Sequence, residues 1–163
     1  MKHTISILVE NHAGVLARVA GLFARRGFNI DSLAVGVTED EKISRITIIA
    51  DGTAYTLEQI EKQLNKLIDV IKVRHLPAEE LLSRELALIK VACQPSQRAE
   101  LISLAEIAKA KISDITVNTM TLELSDSVPR IKTFEELLRP YGIKETVRTG
   151  SIAMQKGGAS MKL

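Results

Sequence analysis

HTISILVENHAGVLARVAGLFARRGFNI, residues 3–30, changes its hydrophobic period twice. Ile5, Ile7 and Val9 alternate, as the buried side of a strand does. Val15, Val19, Leu22 and Phe23 then recur at helical spacing, and Gly27 and Asn29 lead back into extended chain at Ile30. Strand 3–10, helix 14–26 and strand 28–37 follow from this reading, with Gly14 at the strand-to-helix corner. A helix that starts at a glycine presents unpaired backbone N–H groups and the positive end of its dipole. An anion small enough to approach the backbone binds at such a place. The corner reads as a ligand site with no catalytic group in it.

Outward from this stretch, the chain predicts strand 43–50, helix 56–68 and strand 69–75. Leu57, Ile60, Leu64, Leu67 and Ile68 form the apolar stripe of the helix. Thr56 caps it, with Gln59 completing a capping box. In the strand, Ile71 and Val73 take one side and Lys72 and Arg74 the other. The order β-α-β-β-α-β is ferredoxin-like. A connector with Pro77 follows over 76–83, and the second half repeats the order. Strand 84–92 precedes a helix opened by Pro95 and Ser96 that carries Leu101, Leu104, Ala105 and Ala108. A strand with Ile112, Ile115 and Val117 and another with Met120, Leu122 and Leu124 come next. Pro129 stands near the start of a helix capped by Ser127 or Asp126 and buried through Phe134, Leu137 and Leu138; residues 143–149 close the second sheet. The expected fold is α+β, with two ferredoxin-like domains over 1–77 and 78–163 and antiparallel sheets bearing helices on one face. Residues 151–163 read as a frayed, flexible tail. The other face of the first sheet carries Leu8, and cover by a second subunit is the expectation there.

Composition narrows the function. Lys and Arg number 22 against 20 Asp and Glu, a balance that argues against a polyanionic partner. Aromatics are only 3 %, so the stacking surface an RNA-binding sheet needs is missing and nucleic acid is excluded. The single cysteine, Cys93, cannot form an internal disulfide and fits a reducing compartment. No apolar run is long enough for a membrane span and no signal-peptide pattern opens the chain, so a cytoplasmic location is expected. His3, His12 and His75 lack metal-ligand spacing, and no catalytic triad or phosphate loop occurs; neither a metal site nor a catalytic residue is expected.

Each candidate site residue has a plain reading beside its functional one. Gly14 is either an anion approach or an ordinary helix-capping glycine. Asn11 either holds the turn through its own backbone or offers its amide to a ligand. Asn29 stands where strand propensity disfavours it, and its side-chain carbonyl suits an ammonium group. Arg25, Arg26 and Gly27 read as a helix C-terminus.

The segments ENHAGVLARV (10–19), LFARRGFNIDSL (22–33), SRITI (44–48) and EQIEKQLNKLIDV (58–70) resemble the small, regulatory subunit of acetolactate synthase. The pattern N-x-x-G-x-L followed by G-x-N-I marks the wider group of amino-acid-binding ACT domains; the longer segments narrow it. The resemblance implies an ACT domain that pairs with its copy and binds valine, or a related branched-chain amino acid, at the interface. It places the contacts at Asn11, Ala13, Gly14, Val15 and Leu16 of one chain and Asn29 and Ile30 of the other. Backbone N–H groups near Gly14 would take the carboxylate, Asn11 or Asn29 the ammonium, and Leu16 and Ile30 would line the apolar slot. One methylene in such a slot is worth only about 1–3 kcal/mol, so preference among branched side chains would be modest. The second domain has Cys93, Gln94, Pro95 and Ser96 where a glycine loop would stand, and no amino acid is expected there. The resemblance further implies a separate catalytic large subunit using thiamine diphosphate, magnesium and FAD, with no cofactor on this chain. The competing reading is a free-standing ACT-type sensor governing another enzyme or a transcription factor. Co-purification with a thiamine-diphosphate enzyme separates the two.

Overall fold

Residues 1–162 are described by the computed structural model, and they divide into two compact units. Met1–Leu82 and the residues from Ser151 onward make one; Ser83–Gly150 make the other.

The first unit holds β1 (Lys2–Glu10), α1 (Val15–Arg25), β2 (Ile30–Val37), β3 (Ile43–Asp51), α2 (Ala54–Leu64) and β4 (Val70–Leu76). Its antiparallel sheet runs β2-β3-β1-β4. Alternation in β1 and β3 turns Ile5, Ile7, Val9, Ile46, Ile48 and Ala50 to the helices. They meet Val15, Val19, Leu22 and Phe23 of α1 and Ile60 and Leu64 of α2 in one core. Aliphatic side chains fill nearly all of it, as the scarcity of aromatics requires.

Local structure departs from expectation at three points here. Thr53, not Thr56, caps α2: its hydroxyl accepts from the Thr56 N–H at 3.2 Å, so the helix starts two residues earlier. The helix also stops at Leu64, and Ile68, beyond it, is 93 % exposed instead of joining the stripe. In β4 the register against β1 shifts between Leu8 and Val9, where Leu8 faces Lys72 and Val9 faces Val70. Ile71 is the extra residue of this bulge, so Val70 and Val73 pack on the core while Ile71 turns outward.

The second unit repeats the order with β5 (Leu81–Ala92), α3 (Arg98–Ala108), β6 (Lys111–Ile115), β7 (Thr119–Asp126), α4 (Val128–Leu138) and β8 (Ile143–Arg148). Its strands run β6-β7-β5-β8, the same arrangement as in the first. Ala87, Ile89 and Val91 pack with Leu101, Ala105, Met120, Leu122, Leu124, Ile131, Phe134 and Leu138. Ile131 and not Leu137 completes the stripe of α4, since 131, 134 and 138 share a helical face and Leu137 is exposed. Ser127 is the N-cap residue of α4 without a side-chain cap bond; Asp126 Oδ1 accepts from the Ser127 N–H instead. Glu85, buried in β5, pairs with Arg148 of β8 at 2.7 Å.

The C-terminal segment is not frayed. Ile152–Gln155 forms β9, which pairs with β5 and also lies against β1. Ser151 is fully buried, and its N–H donates to Ser32 Oγ at 2.9 Å. Arg45 Nη2 donates to the Ala153 carbonyl, Arg74 Nη1 to the Ser160 carbonyl and Lys72 Nζ to the Lys162 carbonyl. The face expected to need a second subunit, where Ser6 and Leu8 are buried, is covered by this chain's own later residues. Small inward residues, Ser151 and Ala153, let the backbone approach closely enough for these bonds.

Candidate ligand site

The site begins where β1 ends. Asn11 N–H donates to the Lys42 carbonyl and Asn11 Nδ2 to the Glu41 carbonyl, both at 2.8 Å, so the residue ties the β1–α1 loop to the β2–β3 turn. Its amide nitrogen is thereby committed to the turn, which leaves the side-chain oxygen for a ligand. Gly14 caps α1 in the left-handed region, with φ +87°, where side chains are strained. The first bond inside the helix runs from the Arg18 N–H to the Gly14 carbonyl at 3.0 Å. The N–H groups of Val15, Leu16 and Ala17 precede it and have no carbonyl within the helix, and no side chain caps them. Val15 is buried in the core and offers only backbone here, whereas Ala13 and Leu16 are exposed beside the corner.

Asn29 and Ile30 lie elsewhere. Ile30 pairs with Ala50, which pairs with His3 at the start of β1, while Glu10 at the end of β1 pairs with Ile43. Ala50 and Ile43 are seven positions apart on β3, so the two clusters are separated by about 23 Å at the usual strand rise. One chain does not bring them together. Asn29 is exposed, and its Nδ2 donates to Asp31 Oδ1 at 3.0 Å.

Asp69 is the site residue that the motif reading misses. It stands between α2 and β4 and is 5 % exposed. Its Oδ1 lies 2.9 Å from His12 Nε2, its Oδ2 2.7 Å from Arg18 Nε, and its main-chain carbonyl accepts from the Glu10 N–H. An acidic residue inside the apolar run Leu67, Ile68, Val70 and Ile71 is the signal that could have found it. The Ala13 carbonyl near Nδ1 is the largest influence and raises the His12 pKa above its ordinary value; desolvation opposes it, and the Asp69 and Glu10 carboxylates add to the rise. Glu10, His12 and Asp69 bring three ligand atoms within 4.8 Å of one another. One Asp69 oxygen already serves Arg18, and the group reads as an ion-pair network. An open cleft of about 660 Å³ runs alongside, lined by Glu10, Asn11, His12, Lys42 and Ile71 among others.

In the second unit the corresponding corner has no glycine. Cys93 is buried, and Gln94 and Gln97 cap each other reciprocally around Pro95.

Residues 5–72 match the family described as the AHAS small subunit-like ACT domain, so this βαββαβ unit, with its glycine-started helix, is an ACT domain. Residues 84–157 match a second family, described as the small subunit of acetolactate synthase. A probable acetolactate synthase small subunit of Archaeoglobus fulgidus is 50 % identical over 157 residues, 96 % of this chain and 98 % of that one. One from Methanothermobacter thermautotrophicus is 51 % identical over 160 residues, 98 % of this chain and 95 % of the other. The crystal structure of the acetolactate synthase small subunit from Thermotoga maritima superposes with a TM-score of 0.91 at 39 % identity, covering 98 % of this chain and 99 % of that one. The chain belongs to the acetolactate synthase small subunit family. Among the described residues, no helix is long and apolar enough to cross a membrane.

Proposed function

We propose that this chain binds the catalytic large subunit of acetolactate synthase, raises its activity, and makes it subject to feedback inhibition by valine or a related branched-chain amino acid. The observation that carries the reading is the Gly14 corner, where three consecutive backbone N–H groups and a helix dipole face outward beside an exposed Leu16. That corner suits a small carboxylate attached to a short apolar side chain. An amino acid also needs an acceptor for its ammonium group. Asn29 offers one, and lies at the opposite end of the same sheet.

The separation points to a homodimer joined through the ACT domain. A twofold axis that set the Gly14 end of one sheet beside the Asn29 end of the other would give each dimer two equivalent sites. Asn11, Ala13, Gly14, Val15 and Leu16 of one protomer and Asn29 and Ile30 of its partner would form each. Valine then favours one state of the holoenzyme by binding it better than the other; coupling of about 1–3 kcal/mol is usual for such systems. The chemistry itself belongs to the large subunit, with its thiamine diphosphate, magnesium and FAD, and the cytoplasm is where the assembly would work.

Titration of valine into the purified chain, with and without the large subunit, while pyruvate consumption is followed, tests this reading. The chain alone consumes no pyruvate, the large subunit speeds up when it is added, and valine reverses the gain. Unchanged large-subunit activity in the presence of the chain would refute it.

A further inference from the structure

The function just proposed gives Asp69 no contact with the effector, yet it is the most deeply buried carboxylate of the N-terminal unit. Burial of a charged group is unfavourable unless its oxygens are met by donors. Here they are met from two directions by one stretch of chain. His12 in the loop takes Oδ1, Arg18 in the first turn of α1 takes Oδ2, and the Glu10 N–H takes the main-chain carbonyl. Three successive points along residues 10–18 are thus pinned to a single residue from the far end of α2. Through this contact the Arg18 guanidinium comes to lie against Gly14, with Nη1 3.5 Å from where a Cβ would stand.

We propose that Asp69 is the positioning residue of the effector corner: by holding His12 and Arg18 together it fixes the loop from Glu10 to Val15 in its receptive shape without touching the effector. The proposal rests on the effector reading above. Affinity gained this way comes from order already present before binding. Freed from Asp69, the loop must be ordered by the ligand, while the core beneath, built from β1, β3 and both helices, keeps its packing. His12 is one arm of the clasp. It faces Asp69 at 2.9 Å, Glu10 at 3.2 Å and the Ala13 carbonyl, with Asp40, Glu41 and Lys42 on the same cleft and Arg18 behind Asp69. Loss of its proton removes one cation from Asp69, so effector affinity falls towards alkaline pH.

The test is calorimetry of L-valine with the full chain at about pH 6 and about pH 9, on either side of the imidazole range. Asp69→Asn and His12→Gln are compared with the parent, alongside melting temperature and activation of the large subunit. Asp69→Asn is expected to weaken valine about tenfold or more at the lower pH, to lose the pH dependence, and to keep most of the activation. His12→Gln is expected to bind like the parent at the higher pH and more weakly at the lower. Valine affinity in Asp69→Asn within twofold of the parent overturns the proposal, as does a loss matched by equal loss of activation. If Asp69→Asn does not fold, His12→Gln decides, because its side chain is half exposed; a pH dependence unchanged from the parent overturns the proposal. A parent chain that binds no valine at either pH overturns the effector reading itself, a separate outcome.

Discussion

Arg45 of β3 donates to the carbonyl of Ala153, 108 residues further along the chain, at 2.8 Å, and its Nε donates to buried Ser6 at the same distance. One guanidinium therefore joins the first sheet to the segment that crosses it. Burial is the largest influence on this guanidinium and lowers its pKa. Arg45→Met keeps the stem but leaves Ser6 and the Ala153 carbonyl without this donor. The expected loss is about 1–3 kcal/mol, read by thermal or denaturant unfolding, together with faster proteolysis beyond Gly150. Parental stability and cleavage would show that the segment is held by something else.

Gly14→Asp is expected to abolish valine inhibition. Its carboxylate would sit at the anion corner, and any side chain at φ +87° is strained by about 1 kcal/mol. Calorimetry giving parental valine affinity in this variant would refute the placement of the carboxylate.

Mixed dimers test the two-chain site. Asn29→His is expected to weaken inhibition while sparing activation, and neither it nor Gly14→Asp alone retains an intact site. In a mixed dimer of the two, both lesions fall in one site and the other is whole. Random mixing should restore roughly a quarter of all sites, measured as valine bound per chain. No recovery on mixing would mean that each site lies within one protomer.

The raised pKa of His12 fixes a sign for stability. A group held above its unfolded value, ordinarily about 6.5, contributes stability that is complete below that value and lost as pH rises through the folded one. The parent should therefore lose its advantage over His12→Gln on passing from mildly acidic to alkaline solution. An NMR titration of the His12 ring gives the folded value directly, and a midpoint at or below the unfolded one would contradict the ion-pair geometry.

Ile7 in β1 and Ile71 in the β4 bulge sit on neighbouring strands, but only Ile7 lies in the core. Ile7→Ala, in the core, should cost about 2–5 kcal/mol. Ile71→Thr, on the outward bulge, should cost no more than about 0.5 kcal/mol. Comparable losses would mean that Ile71 is buried in solution, against another surface.

The contrast shows what a sequence reader can recover. Ile5, Ile7 and Val9, and later Met120, Leu122 and Leu124, alternate over whole strands, so their faces were legible, and the repeat of strand and helix order gave both domains. The turn roles of Gly14 and Asn11 are legible because backbone demands at a strand-to-helix corner leave a local trace. The alternation of β4 does not reveal the outward turn of Ile71, because a register shift depends on the partner strand and not on the residue itself. Thr53 gives no distinct signal, because Thr56 offers the same hydroxyl three residues later. Asp69 and the segment after Gly150 escaped for a common reason. Each acts across 51 residues or more, from Asp69 to Arg18 and from Ala153 to Arg45, and no local period records such pairings.

The crossing by residues 151–162 has a consequence for how the protein is made. Those residues leave the ribosome only after the whole second unit has been synthesised, so the nascent N-terminal sheet has its helices long before the cover for its other face. For that interval Ser6, Leu8 and Thr47 lie bare on a half-finished domain, a surface for chaperones to hold. Chains that stall before Gly150 would reach the cell with their first half assembled and unsealed.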